Sequence, residues 1–114
     1  MVSREHRFHG LGSLRFVYGR GEVARGPMFL IKYARNSHRK TYRVAIVVSK
    51  KVSKSAVVRN RIRRRLYEII REQEADIREP FDIVMNVHSP EVAELPSDKL
   101  SAQVIKQLKS AQII

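Results

Sequence analysis

Residues 57–71 read VVRNRIRRRLYEIIR and hold six arginines in fifteen positions, yet an apolar stripe survives among them. Advancing about 100° per residue from Ile62 puts Val58, Leu66 and Ile69 within about 40° of it, with Ile70 on the flank. A disordered basic tail has no use for such a stripe, so the segment is expected to be a helix with one side in a core. Asn60, Arg64, Tyr67 and Arg71 fall within about 40° of the opposite pole, with Arg63 beside them. Arg61 lies on a flank, and Arg59, about 60° from the core centre, is placed to brace the preceding loop or the sheet. Glu68, Glu72 and Glu74 come late and leave Arg59–Arg65 unpaired within the helix. Arginine in place of lysine favours a phosphate-bearing partner, because its planar fork grips oxygens in pairs and stacks on bases.

The wider charge pattern agrees. The 114-residue chain carries a formal charge of +12, and residues 35–71 contain thirteen Lys/Arg against the single Glu68. Residues 1–34 give +4 and residues 72–114 give −4, so the middle is the binding region. With 43% hydrophobic residues the chain is expected to fold, as one domain over 1–114 with a modest core. There is no cysteine, which excludes a disulfide framework, a thiolate metal site and a cysteine nucleophile. The N-terminal residues lack the apolar run of a signal peptide, and no stretch reaches the length of a membrane span, so a cytoplasmic protein is expected. The apolar side of the basic helix is committed to the core, which argues against lipid binding.

Along the chain, Leu14, Val17 and Tyr18 recur at helical spacing after a possible cap at Ser13, and glycines at 19 and 21 end the turn. Residues 21–25 read as a brief strand and 28–33 as a better one. A polar hairpin loop is expected over Arg35–Lys40, followed by a strand over Tyr42–Ser49 whose continuous apolar run favours a central place in the sheet. The basic helix should run from Ala56 to Asp76 with Ser55 as cap. Phe81, Ile83, Met85 and Val87 then alternate with Asp82, Val84, Asn86 and His88, a strand with one apolar face. Ser97 can cap a last helix that buries Leu100, Val104, Ile105, Leu108 and Ala111. The order α-β-β-β-α-β-α gives an α+β two-layer sandwich, about four strands with three helices. Phe16 and Phe29 are read as core.

The run Arg43–Lys51 (RVAIVVSKK), a short loop, and then Arg59–Arg64 (RNRIRR) together resemble the signature of the bacterial ribonuclease P protein component. That pattern is a strand ending in Ser/Ala-Lys-Lys, a loop, and an Arg-Asn-Arg triplet opening a long basic helix. Resemblance extends more weakly over nearly the whole chain, and it implies a left-handed crossover from the third strand through the basic helix to the fourth. Ordinary handedness would be the opposite. It also implies a protein subunit of an endoribonuclease that removes the 5′ leader of precursor tRNA, with catalysis in an RNA subunit and Mg²⁺ belonging to the complex. Partners would be ribonuclease P RNA and precursor tRNA, with the free protein a monomer. The family commonly places Arg or Lys just after the fourth strand, where this chain has His88.

On this reading Lys50, Lys51, Lys54, Arg59, Asn60, Arg61, Arg63, Arg64, Arg65 and Arg71 contact the catalytic RNA. The three lysines sit near a helix N-terminus, which adds anion affinity. Leu14, Tyr18 and Lys32 match positions that line the family's cleft for the single-stranded leader, although periodicity alone equally allows Leu14 and Tyr18 in the core. His6, His9, His38 and His88 show no metal-site spacing, there is no phosphate loop or nucleophile elbow, and Asp82 alone on a strand reads as structural. No protein active site is expected. Rival readings are a ribosomal or other structured-RNA-binding protein, a DNA-binding module, which would want a second helix before the basic one, and a stand-alone nuclease, which lacks a catalytic cluster.

Overall fold

The β-rich runs are gathered into a single four-stranded sheet: β1 (Glu22–Ala24), β2 (Phe29–Arg35), β3 (Arg43–Val48) and β4 (Phe81–Val87), in the spatial order β1-β2-β4-β3. β1, β2 and β4 are antiparallel neighbours, while β3 runs parallel to β4. The computed structural model describes residue 6, residues 16–19 and residues 21–114. Residues 16–19 are helical (α1), and α2 (Ala56–Glu72) and α3 (Ser97–Ser110) are the long helices. The α+β sandwich with a mixed four-stranded sheet and three helices is therefore as the sequence indicates.

Two strand readings change. Arg35–Lys40 does not close a hairpin, because β4 enters between β2 and β3. β3, the most apolar run, is an edge strand with Val47 exposed, whereas β4 is central and buried at every position but Asn86. Asp82 and Asn86 disguise that centrality in the sequence. Asp82 is tolerated there because Arg43, its register partner on β3, meets it with Nε donating to Oδ1 at 2.9 Å and an NH2 nitrogen donating to Oδ2 at 2.8 Å. Asn36 Nδ2 adds a third donor at 2.9 Å, so the carboxylate also fastens the turn after β2. Both charges are almost wholly buried.

One face of the sheet carries Phe29, Ile31, Val44, Ile46, Ile83, Met85 and Val87 into a single core with Ile62, Leu66, Ile69 and Ile70 of α2 and Leu100, Val104 and Leu108 of α3. Helix α2 starts at the expected cap, where the Ser55 hydroxyl accepts from the Val58 N–H, but ends at Glu72 and gives way to a 3-10 turn over Glu74–Asp76. In α3, Ser97 is the first helical residue and Pro96 holds the cap position. Gln107, not Ile105, completes the buried stripe of α3, because its amide nitrogen Nε2 donates to the carbonyls of Phe29 at 3.0 Å and Ala24 at 3.3 Å, locking the β1–β2 connection. A Cβ at Gly26 would collide with that amide. Tyr67, expected outward, packs partly buried against the core.

The opposite face bears Val23, Leu30, Lys32, Ala34, Asp82, Val84, Asn86, Ala45 and Val47 by strand alternation. Val17 of α1 and Val84 are fully buried yet stand outside the main core, so α1 covers part of this second face. Its end is set where the Gly21 N–H donates to the Val17 carbonyl at 2.7 Å; a Cβ at Gly21 would collide with that same oxygen.

Because removing one partner of a buried ion pair strands the other charge, Asp82→Asn should cost about 3–5 kcal/mol in urea denaturation. The double replacement Arg43→Met with Asp82→Leu should recover much of that loss. A single-variant loss under about 1 kcal/mol would show that the pair does not hold the sheet together.

Candidate nucleic-acid interface

Helix α2 divides its cations between two tasks. Arg59 donates to the Ser53 carbonyl at 2.9 Å, as its position near the core side suggested, and so braces the loop before the helix. Arg61 Nε donates to the Ala93 carbonyl at 2.9 Å, and Arg65 donates to the carbonyls of Val92, at 2.7 Å, and Leu95. These two side chains, one turn apart, tie α2 to the 3-10 turn Pro90–Ala93. Their long stems reach backbone oxygens that an angular projection cannot show. Arg63 donates to the Asn60 side-chain oxygen, and Arg71 stands 3.8 Å from Glu68 on the exposed side. Lys50, Lys51, Lys54 and Arg64 are exposed, with no ion-pair partner among the described residues. The outward cationic surface is thus Lys50, Lys51, Lys54, Arg63, Arg64 and Arg71 with Asn60, while Arg59, Arg61 and Arg65 also carry structural bonds.

A second surface lies between α1 and the sheet. Tyr18 is 44% exposed, so it is no core residue. The Lys32 ammonium sits 4.7 Å from the centroid of its ring, and its hydroxyl donates to Asn86 Oδ1 at 3.2 Å. The structure therefore brings Tyr18 and Lys32 together; Leu14 and His9 lie outside the described residues. Register pairs Leu30 and Val47 with Asn86 from either side, making one row across β2, β4 and β3. Val47 is exposed and stands three residues before Lys50, so the cleft opens toward the basic loop. Asn86 was not singled out by the sequence beyond its place on the polar side of a strand. His88 is exposed at the end of β4, its backbone N–H donating to Met28 O at 2.9 Å.

At the other end of the sheet, Phe16, Tyr33, Phe81, Arg35 and His38 line a shallow pocket. Phe16 is thus half-buried in its wall, whereas Phe29 is a true core residue. Burial first, and then the hydrogen bond to Glu22 at 3.1 Å, push the Tyr33 phenol above its ordinary value, so it stays a neutral donor. Arg35 leans over the Phe81 ring and pairs with Glu79. Among the described residues no three His, Cys, Asp or Glu side chains cluster as metal ligands, and Asp82 is fully engaged by Arg43 and Asn36. No described helix is long and apolar enough to cross a membrane.

Comparison with known proteins bears on what these two surfaces are for. The sequence profile of the Ribonuclease P family matches residues 2–112. The Ribonuclease P protein component of Brevibacillus brevis is 30% identical over 113 residues, covering 99% of this chain and 88% of that protein. Its counterpart from a Pseudanabaena species is 34% identical over 102 residues, covering 86% and 88%. The solved Staphylococcus aureus RNase P protein superposes with a TM-score of 0.84 at 22% identity, over 95% of this chain and 96% of that one. A profile match across almost the whole length, close agreement of fold, and a strand-loop-helix signature that lands on the exposed cationic surface lead to one conclusion: the chain belongs to the bacterial ribonuclease P protein component family.

Proposed function

We propose that this chain is the protein subunit of a ribonuclease P acting in the cytoplasm on precursor tRNA, with the exposed cations of α2 and the 50–54 loop set on the catalytic RNA and the α1–sheet cleft set on the single-stranded 5′ leader. The observation that carries the reading is the division into two unlike surfaces joined at Lys50 and Lys51. A convex, arginine-rich helix suits a structured RNA backbone, whereas a cleft with an exposed ring beside a cation suits an unpaired strand. Neither surface offers a nucleophile, base and metal ligands in reach of one another among the described residues. On this reading cleavage is performed by the RNA, Mg²⁺ belongs to the complex, and the free protein is a monomer. The protein neutralises phosphates where two polyanions crowd together and favours leader-bearing substrate over product.

The α2 surface is tested by Arg63→Ala with Arg64→Ala. This pair should weaken binding to ribonuclease P RNA at near-native stability and make the log-log salt slope shallower by up to about 0.9 per lost phosphate contact. Arg61→Ala with Arg65→Ala, in contrast, should lower stability by about 1–3 kcal/mol because backbone carbonyls lose charged donors. Unchanged affinity and slope in the first pair would remove this helix face as the RNA contact.

For the cleft, Tyr18→Ala should weaken precursor tRNA binding by the assembled complex by about 1–3 kcal/mol, the worth of one base-aromatic stack. Mature tRNA, which has no leader, should respond little, and equal weakening of both ligands would count against the assignment.

Cleavage rate against Mg²⁺, measured for protein alone, RNA alone and both together, tests the division of labour. The protein alone should leave precursor tRNA intact, and its benefit to the RNA should shrink as the ion rises and screens the same phosphates. The protein-alone arm carries weight because a mutant of the Staphylococcus aureus protein is described as having defective mRNA degradation activity. RNA-free cutting at the correct site would place the chemistry in the protein. Asp82→Asn is unsuited to that control, since it removes the partner of buried Arg43.

A further inference from the structure

The pocket at the end of the sheet away from Lys50 and Lys51 belongs to neither the α2 surface nor the cleft row of Leu30, Asn86 and Val47. Register sets Glu22 of β1 opposite Tyr33 and Arg35 opposite Phe81, so strand alternation puts all four on one face of the sheet. Phe16 from α1 and His38 from the turn after β2 complete a cavity of about 490 Å³, a size that suits a small molecule. Tyr33 and Phe81 stand edge to face, with 6.2 Å between centroids and 71° between planes. Phe16 and Tyr33 are both half-buried and offer ring surface to a planar guest. The polar groups differ in sign from one side to the other. The Glu22 carboxylate is oriented by the Tyr33 hydroxyl, which donates to Oε2 at 3.1 Å. The Arg35 guanidinium lies 5.5 Å from the Phe81 centroid and pairs with Glu79.

We propose that this pocket binds a free guanosine 5′-phosphate, with Glu22 accepting from the two adjacent N–H groups of the base, the ring lying against Phe16 and Tyr33, and Arg35 with His38 on the phosphate. The site is separate from the cleft and from α2 and stands independently of the function proposed for them. A carboxylate has two oxygens and about four lone-pair sites, so the bond from Tyr33 leaves room for a forked pair of donors. Guanine alone among the RNA bases presents a ring N–H and an amino group side by side. Adenine and cytosine set one donor beside an acceptor, and uracil sets one donor between two acceptors, so each of them turns a lone pair toward the carboxylate. Strand geometry places Arg35 about 7 Å along and about 5 Å across from Glu22, a diagonal that one nucleotide bridges from base edge to phosphate. The Arg35 and Glu79 side chains are 62% and 50% exposed, so water already screens their pair and a phosphate can replace the carboxylate at little cost. A cationic guest drawn to Glu22 and the rings would meet Arg35, which already covers Phe81; a guest with a donor edge and an anionic tail is matched at both ends.

The test is calorimetric titration of the full chain with guanosine 5′-monophosphate (GMP), guanosine and adenosine 5′-monophosphate (AMP) at fixed salt. GMP should bind at least about tenfold more tightly than AMP, the ratio that charge-assisted hydrogen bonds give, and more tightly than guanosine. Glu22→Gln, which puts an amide donor where the base also donates, should bring GMP and AMP to within about twofold of each other. Tyr33→Phe keeps the ring but frees the carboxylate, so GMP should weaken several-fold with guanine still preferred. Glu79→Gln should tighten GMP and leave guanosine unchanged, whereas Arg35→Ala should bring GMP to the level of guanosine. Equal binding of GMP and AMP, as the arginines of α2 alone would give, overturns the proposal. A guanine preference that survives in Glu22→Gln, or one that is lost in Tyr18→Ala and so belongs to the cleft, overturns it as well. Binding that tightens from GMP to the trinucleotide pGpApA would make the ligand an RNA strand, and the assignment to a free nucleotide would fall.

Discussion

The parallel pairing of β3 with β4, fastened by the buried Arg43–Asp82 pair, is the constraint on which the remaining geometry rests. Parallel neighbours cannot be joined by a tight turn, so the chain must cross over the sheet between them, and α2 is that crossover. Its apolar stripe closes the core, and its cations are left pointing away from it. The same pairing brings the ends of β3 and β4 level, which sets Lys50 and Lys51 beside the row of Leu30, Asn86 and Val47. An ion pair at one end of the sheet thus holds in register the strands that form the cleft at the other.

The economy of the arginines follows from their length. On a helix only seventeen residues long, Arg59, Arg61 and Arg65 bend back to backbone carbonyls of neighbouring loops, and Arg63, Arg64 and Arg71 remain for a ligand. A guanidinium carries five donors, so one bound to a carbonyl still presents N–H groups outward. Structural bonds and outward-facing donors therefore overlap on this element, and charge removal at the flank positions is expected to affect both.

Helix α2, with its cap at Ser55, was legible because periodicity and capping chemistry are local. The strand order was not, since hydrophobic content ranks strands by composition while their place in the sheet is decided by long-range pairing. β3 looked central and is an edge; β4 looked one-sided and is central, because Arg43 and Asn36 satisfy Asp82 across 39 and 46 residues of sequence. The cleft was partly legible, through Tyr18 and Lys32. Asn86 escaped notice because a single polar residue on a strand carries no signal until its neighbours are known. Gln107 escaped for the same reason, as a polar side chain inside an otherwise apolar helical stripe.

The insertion of β4 between β2 and β3 has a consequence for the order in which the molecule can be made. A ribosome delivers β2, β3 and α2 before the strand that joins them exists, at about 5–20 residues per second. Until residue 87 has emerged, two strand edges face solvent with their amides and carbonyls bonded to water in place of a neighbouring strand, and the pairing of Arg43 with Asp82 across β3 and β4 is not yet made. Formation of the sheet therefore waits on the last third of the chain, and the nascent protein passes through an interval of seconds in which its most apolar strand is unpaired while a highly cationic segment is already out. A polyanion close at hand during that interval would meet the charge before it met the fold.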